Sequence, residues 1–124
     1  MIVILAIGNE VVSGQIVNRN AAFIAEELTR AGYTIAAQIA VRDEINAIKN
    51  AFTEAFEKGD FIIATGGLGP TIDDLTRDAA AQYYNSPQHL DEKIRAELNE
   101  RYKGRGFSFD NQATIPDKAK ILPN

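Results

Sequence analysis

The chain has 124 residues, enough to bury a real core and within the size of one α/β domain spanning 1–124. Hydrophobic residues make up 45% and charged ones 24%; the net charge of −4 supplies no basic field for nucleic acid or an anionic membrane, so neither is expected as a partner. The lack of cysteine excludes disulfides, thiolate metal sites and a cysteine nucleophile, and is compatible with the reducing cytoplasm expected for this chain.

Residues 2–7 form a continuous β-branched and apolar run that stops at Gly8-Asn9-Glu10. Such a run is far too short to cross a bilayer and has neither a basic leader nor a small-residue cleavage site, so it reads as a strand covered on both faces. A polar, glycine-containing segment follows through Gly14. From about Asn20 the apolar positions Ala21, Ile24, Ala25 and Leu28 repeat with helical period, and Gly32 closes the helix. Residues 33–41 read as a second strand. A second helix begins at Asp43, carries Ile45, Ile48, Phe52 and Phe56 on one stripe, and ends at Gly59; residues 61–65 form a third strand. Strand, helix, strand, helix, strand with short connections predicts right-handed crossovers and a mostly parallel, doubly wound sheet. After the glycine-rich segment Gly66–Thr71 a helix is expected from about Asp74 to Tyr84, broken by Ser86-Pro87. Residues 91–103 read as a solvated, charged helix ended by Gly104-Arg105-Gly106; Phe107 and Phe109 are expected to fold back onto the body, and 119–122 to start another strand.

Loops leaving the carboxyl ends of parallel strands share one edge of the sheet, and ligands bind there. Three such loops are expected: one with Gly8, Asn9, Glu10, Ser13 and Gly14, one with Arg42 and Asp43, and one running from Gly66 to Asp74. The third is the most informative. Gly66, Gly67 and Gly69 let backbone N–H groups approach a ligand, Pro70 stiffens the turn, and a helix N-terminus follows; the combination suits phosphate. Asp73 and Asp74 oppose a bare phosphate, and a divalent cation of the Mg²⁺ type removes the conflict. Acidic residues in a first turn also serve as helix caps, worth about 0.5–2 kcal/mol. Asp74 is the better metal candidate and Asp73 the better cap. Thr71 and Thr76 are within reach of a phosphate or metal and equally placed to cap. Glu10 reads equally as a functional group and as a solvated carboxylate, and Asp43 as a functional group or the cap of its helix. Asn18 and Asn20 are candidate caps of the first helix, Arg42 a phosphate partner or an exposed charge, and His89 a surface residue. There is no third glycine for a dinucleotide fingerprint, no Gly-Lys-Ser/Thr, and only one histidine to serve a triad.

The stretch Gly8-Asn9-Glu10-Val11-Val12-Ser13-Gly14-Gln15-Ile16-Val17-Asn18-Arg19-Asn20 resembles the opening motif of the competence/damage-inducible CinA family. Thr65-Gly66-Gly67-Leu68-Gly69-Pro70-Thr71-Ile72-Asp73-Asp74-Leu75-Thr76 resembles its central motif, and Asn111-Gln112-Ala113 with Pro116 falls where the family carries a similar stretch. The resemblance implies a three-layer α/β/α molybdopterin-binding-like fold, here without its last elements because the family continues past Asn124. It implies metal-dependent hydrolysis of a nucleoside-diphosphate sugar such as ADP-ribose at its pyrophosphate bond, with Mg or a transition metal and homo-oligomeric assembly. By position, Glu10, Asp43 and Asp74 become metal or catalytic groups, with Asp74 and Asp43 catalytic and Glu10 and Asp74 on the metal; Gly66, Gly67, Gly69 and Thr71 become the phosphate cradle. Two other readings stand beside it: a pterin-phosphate-binding or adenylyl-transferring protein of molybdenum-cofactor synthesis, and a ligand-binding or assembly module without turnover.

Overall fold

The computed structural model describes residues 1–122. Its centre is strand β1 (Ile2–Ile7), in which every residue is buried. The pairing order β2-β1-β3 places β1 between β2 (Ile35–Val41) and β3 (Phe61–Thr65), both parallel to it. A strand paired on both edges and covered on both faces can be apolar throughout, as the run Ile-Val-Ile-Leu-Ala-Ile is.

Side-chain alternation divides the faces. Leu5 and Ile7 enter one core cluster with Ile48, Ala51 and Phe52 of α3 (Ile45–Lys58), and with Ala79 of α4 (Thr76–Tyr83). Ile39 and Ala64, the register partners of Leu5, pack against the same cluster. The opposite face, with Ile4 and Ala6 almost fully buried, is served by α2 (Arg19–Arg30), whose Ala21 is its one buried residue. Right-handed crossovers running outward to β2 and back past β1 to β3 put the two connecting helices on opposite faces, giving the expected α/β/α layering.

The remaining elements depart from the pattern that the sequence predicts. A one-turn helix α1 (Asn9–Val12) occupies the polar, glycine-containing segment after β1. The helix expected from Asp74 begins at Thr76, because Asp73 and Asp74 stay in the preceding turn. No strand forms at 119–122, where Ile121 and Leu122 are exposed. Instead β4 (Gln88–Leu90) pairs antiparallel with β5 (Thr114–Pro116) in a second, small sheet. Between them lie α5 (Glu92–Arg101), with no buried residue as its charge pattern predicted, and α6 (Asp110–Ala113). Phe109 folds inward and stacks on Tyr102 with ring centroids 5.3 Å apart, whereas Phe107 stays exposed, so only one of the two phenylalanines behaves as expected.

The strand β3 is an outer strand, with an uncharged sequence, Phe-Ile-Ile-Ala-Thr, and its second edge unpaired among the described residues. Phe61, at 69% exposure, is its most open residue.

Leu5→Ala should test the centrality of β1. Leu5 is fully buried between α3 and the neighbouring strands, so truncation should cost about 2–5 kcal/mol by equilibrium urea unfolding. A loss below about 1 kcal/mol would mean that the site collapses freely and that β1 is not the packing centre.

Candidate functional site

The strand-exit loops meet at one edge of the sheet, as the sequence predicts. The Gly8 N–H donates to the carbonyl of Val41 at 2.9 Å, and the Asn9 N–H donates to Asp43 Oδ2 at 3.1 Å, joining the first loop to the second. The third loop closes on both. Gly66, at φ 95°, runs so near β1 that a Cβ there would collide with the carbonyl oxygen of Ile7. Gly67, at φ 61°, lies against the Thr76 hydroxyl, and a Cβ there would stand 3.0 Å from Asp43 Oδ1. Positive φ and close approach together leave glycine as the residue for these two positions.

Asp43 is not the cap of its helix; Glu44 occupies that position, with no side-chain cap bond. Its Oδ2 accepts from Asn9 while its Oδ1 is buried without a hydrogen-bond partner among the described residues. Burial pushes the carboxyl above its ordinary 3.8; the Asn9 N–H opposes the rise, and the negative charges of Glu10, Asp74 and Asp73 add to it. Acidic groups from all three loops therefore sense one another, although no three His, Asp or Glu side chains among the described residues form a ready-made metal cage.

Asp74 behaves differently. Its Oδ2 accepts the Thr71 N–H at 2.8 Å and the Thr71 hydroxyl at 2.6 Å, and the Gly69 N–H also points to this carboxylate. Partial burial works against its charge, but these donors and the Arg77 guanidinium together hold it below the ordinary carboxylate range. Two of the donors expected to hold phosphate, at Gly69 and Thr71, thus serve the loop's own carboxylate. The N–H groups of Gly67 and Leu68, by contrast, have no acceptor among the described residues. Asp73 is exposed and makes no cap; Leu75 stands at the N-cap of α4, again without a side-chain bond. Thr76 is buried and gives its hydroxyl to the Gly66 carbonyl at 2.7 Å, a bond within the loop rather than a contact open to phosphate or metal.

Beside this junction lies a cavity of about 130 Å³. Ala6, Val11, Ile16 and Val17 give it apolar walls, and Glu10, Arg19, Asn20 and Thr65 give it polar groups beside Gly66. Asn18 caps α2 by accepting the Ala21 N–H at 3.1 Å, which leaves Asn20 free to reach Thr65 Oγ1 at 3.5 Å. The side chains of Glu10 and Arg19 have no ion-pair or hydrogen-bond partner among the described residues. Arg19, Ile16 and Val17 were not singled out by the sequence; a basic residue between two candidate caps was the available signal. Arg42 is exposed on the second loop. His89 lies in the other sheet, with Nδ1 2.6 Å from Asp117 Oδ1, and takes no part in this edge.

The family model described as "Probable molybdopterin binding domain" matches residues 3–122. The chain belongs to the molybdopterin-binding domain family. This molybdopterin-binding domain is of the CinA type: the crystal structure of CinA from Thermoplasma acidophilum is 33% identical and superposes with a TM-score of 0.88, covering 99% of this chain and 74% of that one. Competence-damage inducible proteins of Clostridium tetani and Clostridium perfringens are 38% and 42% identical over 98% of this chain. The chain spans 31% and 30% of the length of those two relatives. MoaB of Thermus thermophilus, 23% identical over 90% of this chain and 69% of its own with a TM-score of 0.61, shares the fold. The molybdopterin-binding-like architecture expected from the two motifs is therefore the architecture found. No helix among the described residues of this molybdopterin-binding domain is long and apolar enough to cross a membrane.

The charge on Asp43 gives a test by pH. The folded state holds its proton more tightly than the unfolded chain, so that contribution to stability is present below the ordinary 3.8 and lost as pH rises through the higher folded value. Asp43→Asn keeps an oxygen for the Asn9 N–H and removes the charge. Its melting temperature should exceed the wild type's by a few degrees near pH 7, the gap closing by about pH 3. A variant that melts below the wild type near pH 7 would show that the carboxylate is stabilised, not strained, at this edge.

Proposed function

We propose that this domain binds a phosphorylated, ring-bearing small molecule of the pterin type at the edge where the three loops meet. The ring enters the cavity between Val11, Ile16, Val17 and Thr65, and the phosphate lies over the Gly66–Leu68 turn. The observation that carries this reading is the junction itself: a cavity of about 130 Å³ with apolar and polar walls opening beside Gly66, next to two unclaimed N–H groups at Gly67 and Leu68. A space of about 150 Å³ holds a benzene ring, so a cavity of this size can take a single ring while the rest of the ligand extends out along the loops. Glu10 and the Asn20 amide supply an acceptor and a donor for the polar edge of a heterocycle, and Arg19 supplies a positive charge for the anionic end. Kinship to molybdopterin-binding domains, and the shared fold of MoaB, support a pterin-type ligand in particular.

The second reading, metal-dependent cleavage of a nucleoside-diphosphate sugar such as ADP-ribose, is favoured by the orphaned Oδ1 of Asp43. An unpartnered carboxylate oxygen among like charges fits a divalent cation, which needs only one or two carboxylates alongside phosphate oxygens. Asp43, with Glu10 beside it, would hold such an ion, and the ion would offset pyrophosphate charge and polarise water. On this reading Asp43 orients the cation through the carboxylate that Asn9 fixes, while the Gly67 and Leu68 N–H groups hold phosphate oxygens. Asp74, engaged with its own turn, shapes the loop instead of meeting the metal.

Calorimetric titration with 6-hydroxymethylpterin phosphate, and separately with ADP-ribose in the presence of Mg²⁺ or Mn²⁺, distinguishes the readings. The pterin reading expects saturable binding without metal that weakens about tenfold or more in Val17→Asp, because a charge replaces an apolar wall. AMP release from ADP-ribose that requires metal and disappears in Asp43→Asn would establish the second reading. Neither binding nor release would leave the fold without the proposed ligand.

A further inference from the structure

The short helix α6 reaches across to the glycine-rich loop from forty or more positions along the chain. Gln112 Nε2 donates to the Leu68 carbonyl at 3.3 Å, and Asn111 Nδ2 donates to the carbonyls of Pro70 and Thr71, both at 3.5 Å. The opposite sides of the Leu68–Gly69 and Pro70–Thr71 peptide units face Asp74. A trans peptide points its C=O and N–H in opposite directions. The Leu68 carbonyl therefore fixes where the Gly69 N–H points, and the Pro70 carbonyl fixes the Thr71 N–H. Both N–H groups converge on the Asp74 carboxylate. Two peptides are thus gripped from both sides, by side-chain amides behind and by a carboxylate in front.

The grip is itself anchored. Arg77, whose side chain is 13% exposed, donates through Nη1 to the Asn111 carbonyl and through Nε to Gln88 Oε1 at 3.2 Å. It springs from the first turn of α4, directly after the loop it helps to hold. Ala113 is fully buried, and its carbonyl accepts the Asp91 N–H at 2.8 Å, seating α6 against the second sheet.

We propose that Gln112 and Asn111, held by Arg77, are positioning residues that set the Leu68–Gly69 and Pro70–Thr71 peptide planes and, through Leu68, anchor the far end of the Gly67–Leu68 pair of N–H groups offered to an anion. They touch no ligand. They act by denying the loop the peptide flips that its glycines otherwise permit. The part of the proposal that concerns anion capacity rests on the pterin-phosphate reading above; the part that concerns loop order does not.

Gln112→Glu is the decisive variant, because it preserves shape and packing but replaces the donating amide with a group that cannot donate when ionised. In ligand-free protein, amide hydrogen exchange at Gly69 and Thr71 should accelerate about tenfold, with β1 and α3 unchanged. Gln112→Lys, which retains a donor for the Leu68 carbonyl, should restore most of the protection. Pterin-phosphate affinity should fall about tenfold in Gln112→Glu and recover in the lysine variant. Exchange that is unchanged in Gln112→Glu, or faster to the same degree throughout the chain, overturns the clamp. If the loop loosens as expected but the wild type fails to bind pterin phosphate, the ligand reading falls, and with it the clamp's claim on anion capacity.

Discussion

Gly66 passes β1 at a distance that admits no side chain, since a Cβ there would enter the carbonyl oxygen of Ile7. That contact ties the exit of β3 to the exit of β1, and the Gly8–Val41 hydrogen bond ties the exit of β1 to that of β2. The three ends cannot drift apart without breaking backbone contacts. Everything placed on the loops beyond them, Glu10, Asp43 and the Gly67–Thr71 turn, inherits its position from this junction. The burial of β1 on both faces supplies the rigidity behind it.

The two aspartates at the edge carry opposite electrostatic burdens. Asp74 is surrounded by donors and stabilised as an anion, so its carboxylate organises the turn. Asp43 is partly desolvated, has an oxygen with no partner, and stands among like charges. One carboxylate is satisfied by its own loop; the other is left with capacity for an external cation or donor. The sequence gives both aspartates a functional reading, and the structure distinguishes them by what each carboxylate already bonds.

Much of the architecture was legible because its signals are periodic and local. The apolar runs at 2–7 and 61–65 and the stripes containing Ile24 and Ile48 reported strands and helices to within about two residues, and their alternation dictated the parallel sheet. The convergence of the loops followed from topology alone. The later region was less readable because β4 and β5 have three residues each and exist through pairing across a long excursion, so neither carries a pattern of its own. Ala119–Leu122 had the composition of a strand but finds no partner strand among the described residues. Within the site, the self-contained bonding of Asp74 was hidden because a short carboxylate can turn back on its loop as readily as face outward. The Gln112–Leu68 contact was hidden for another reason: nothing in either local sequence reports a neighbour so distant along the chain.

The side of β3 left unpaired among the described residues has a plain chemical character. Its outer backbone groups and the open ring of Phe61 border a strand with no charge and no proline, the features that elsewhere blunt such borders. A lysine in place of Phe61 would add to this border the charge that such edges elsewhere carry. That border lies at the flank of the sheet opposite β2, while the three loops meet at the strand ends, so a change at one leaves the other in place.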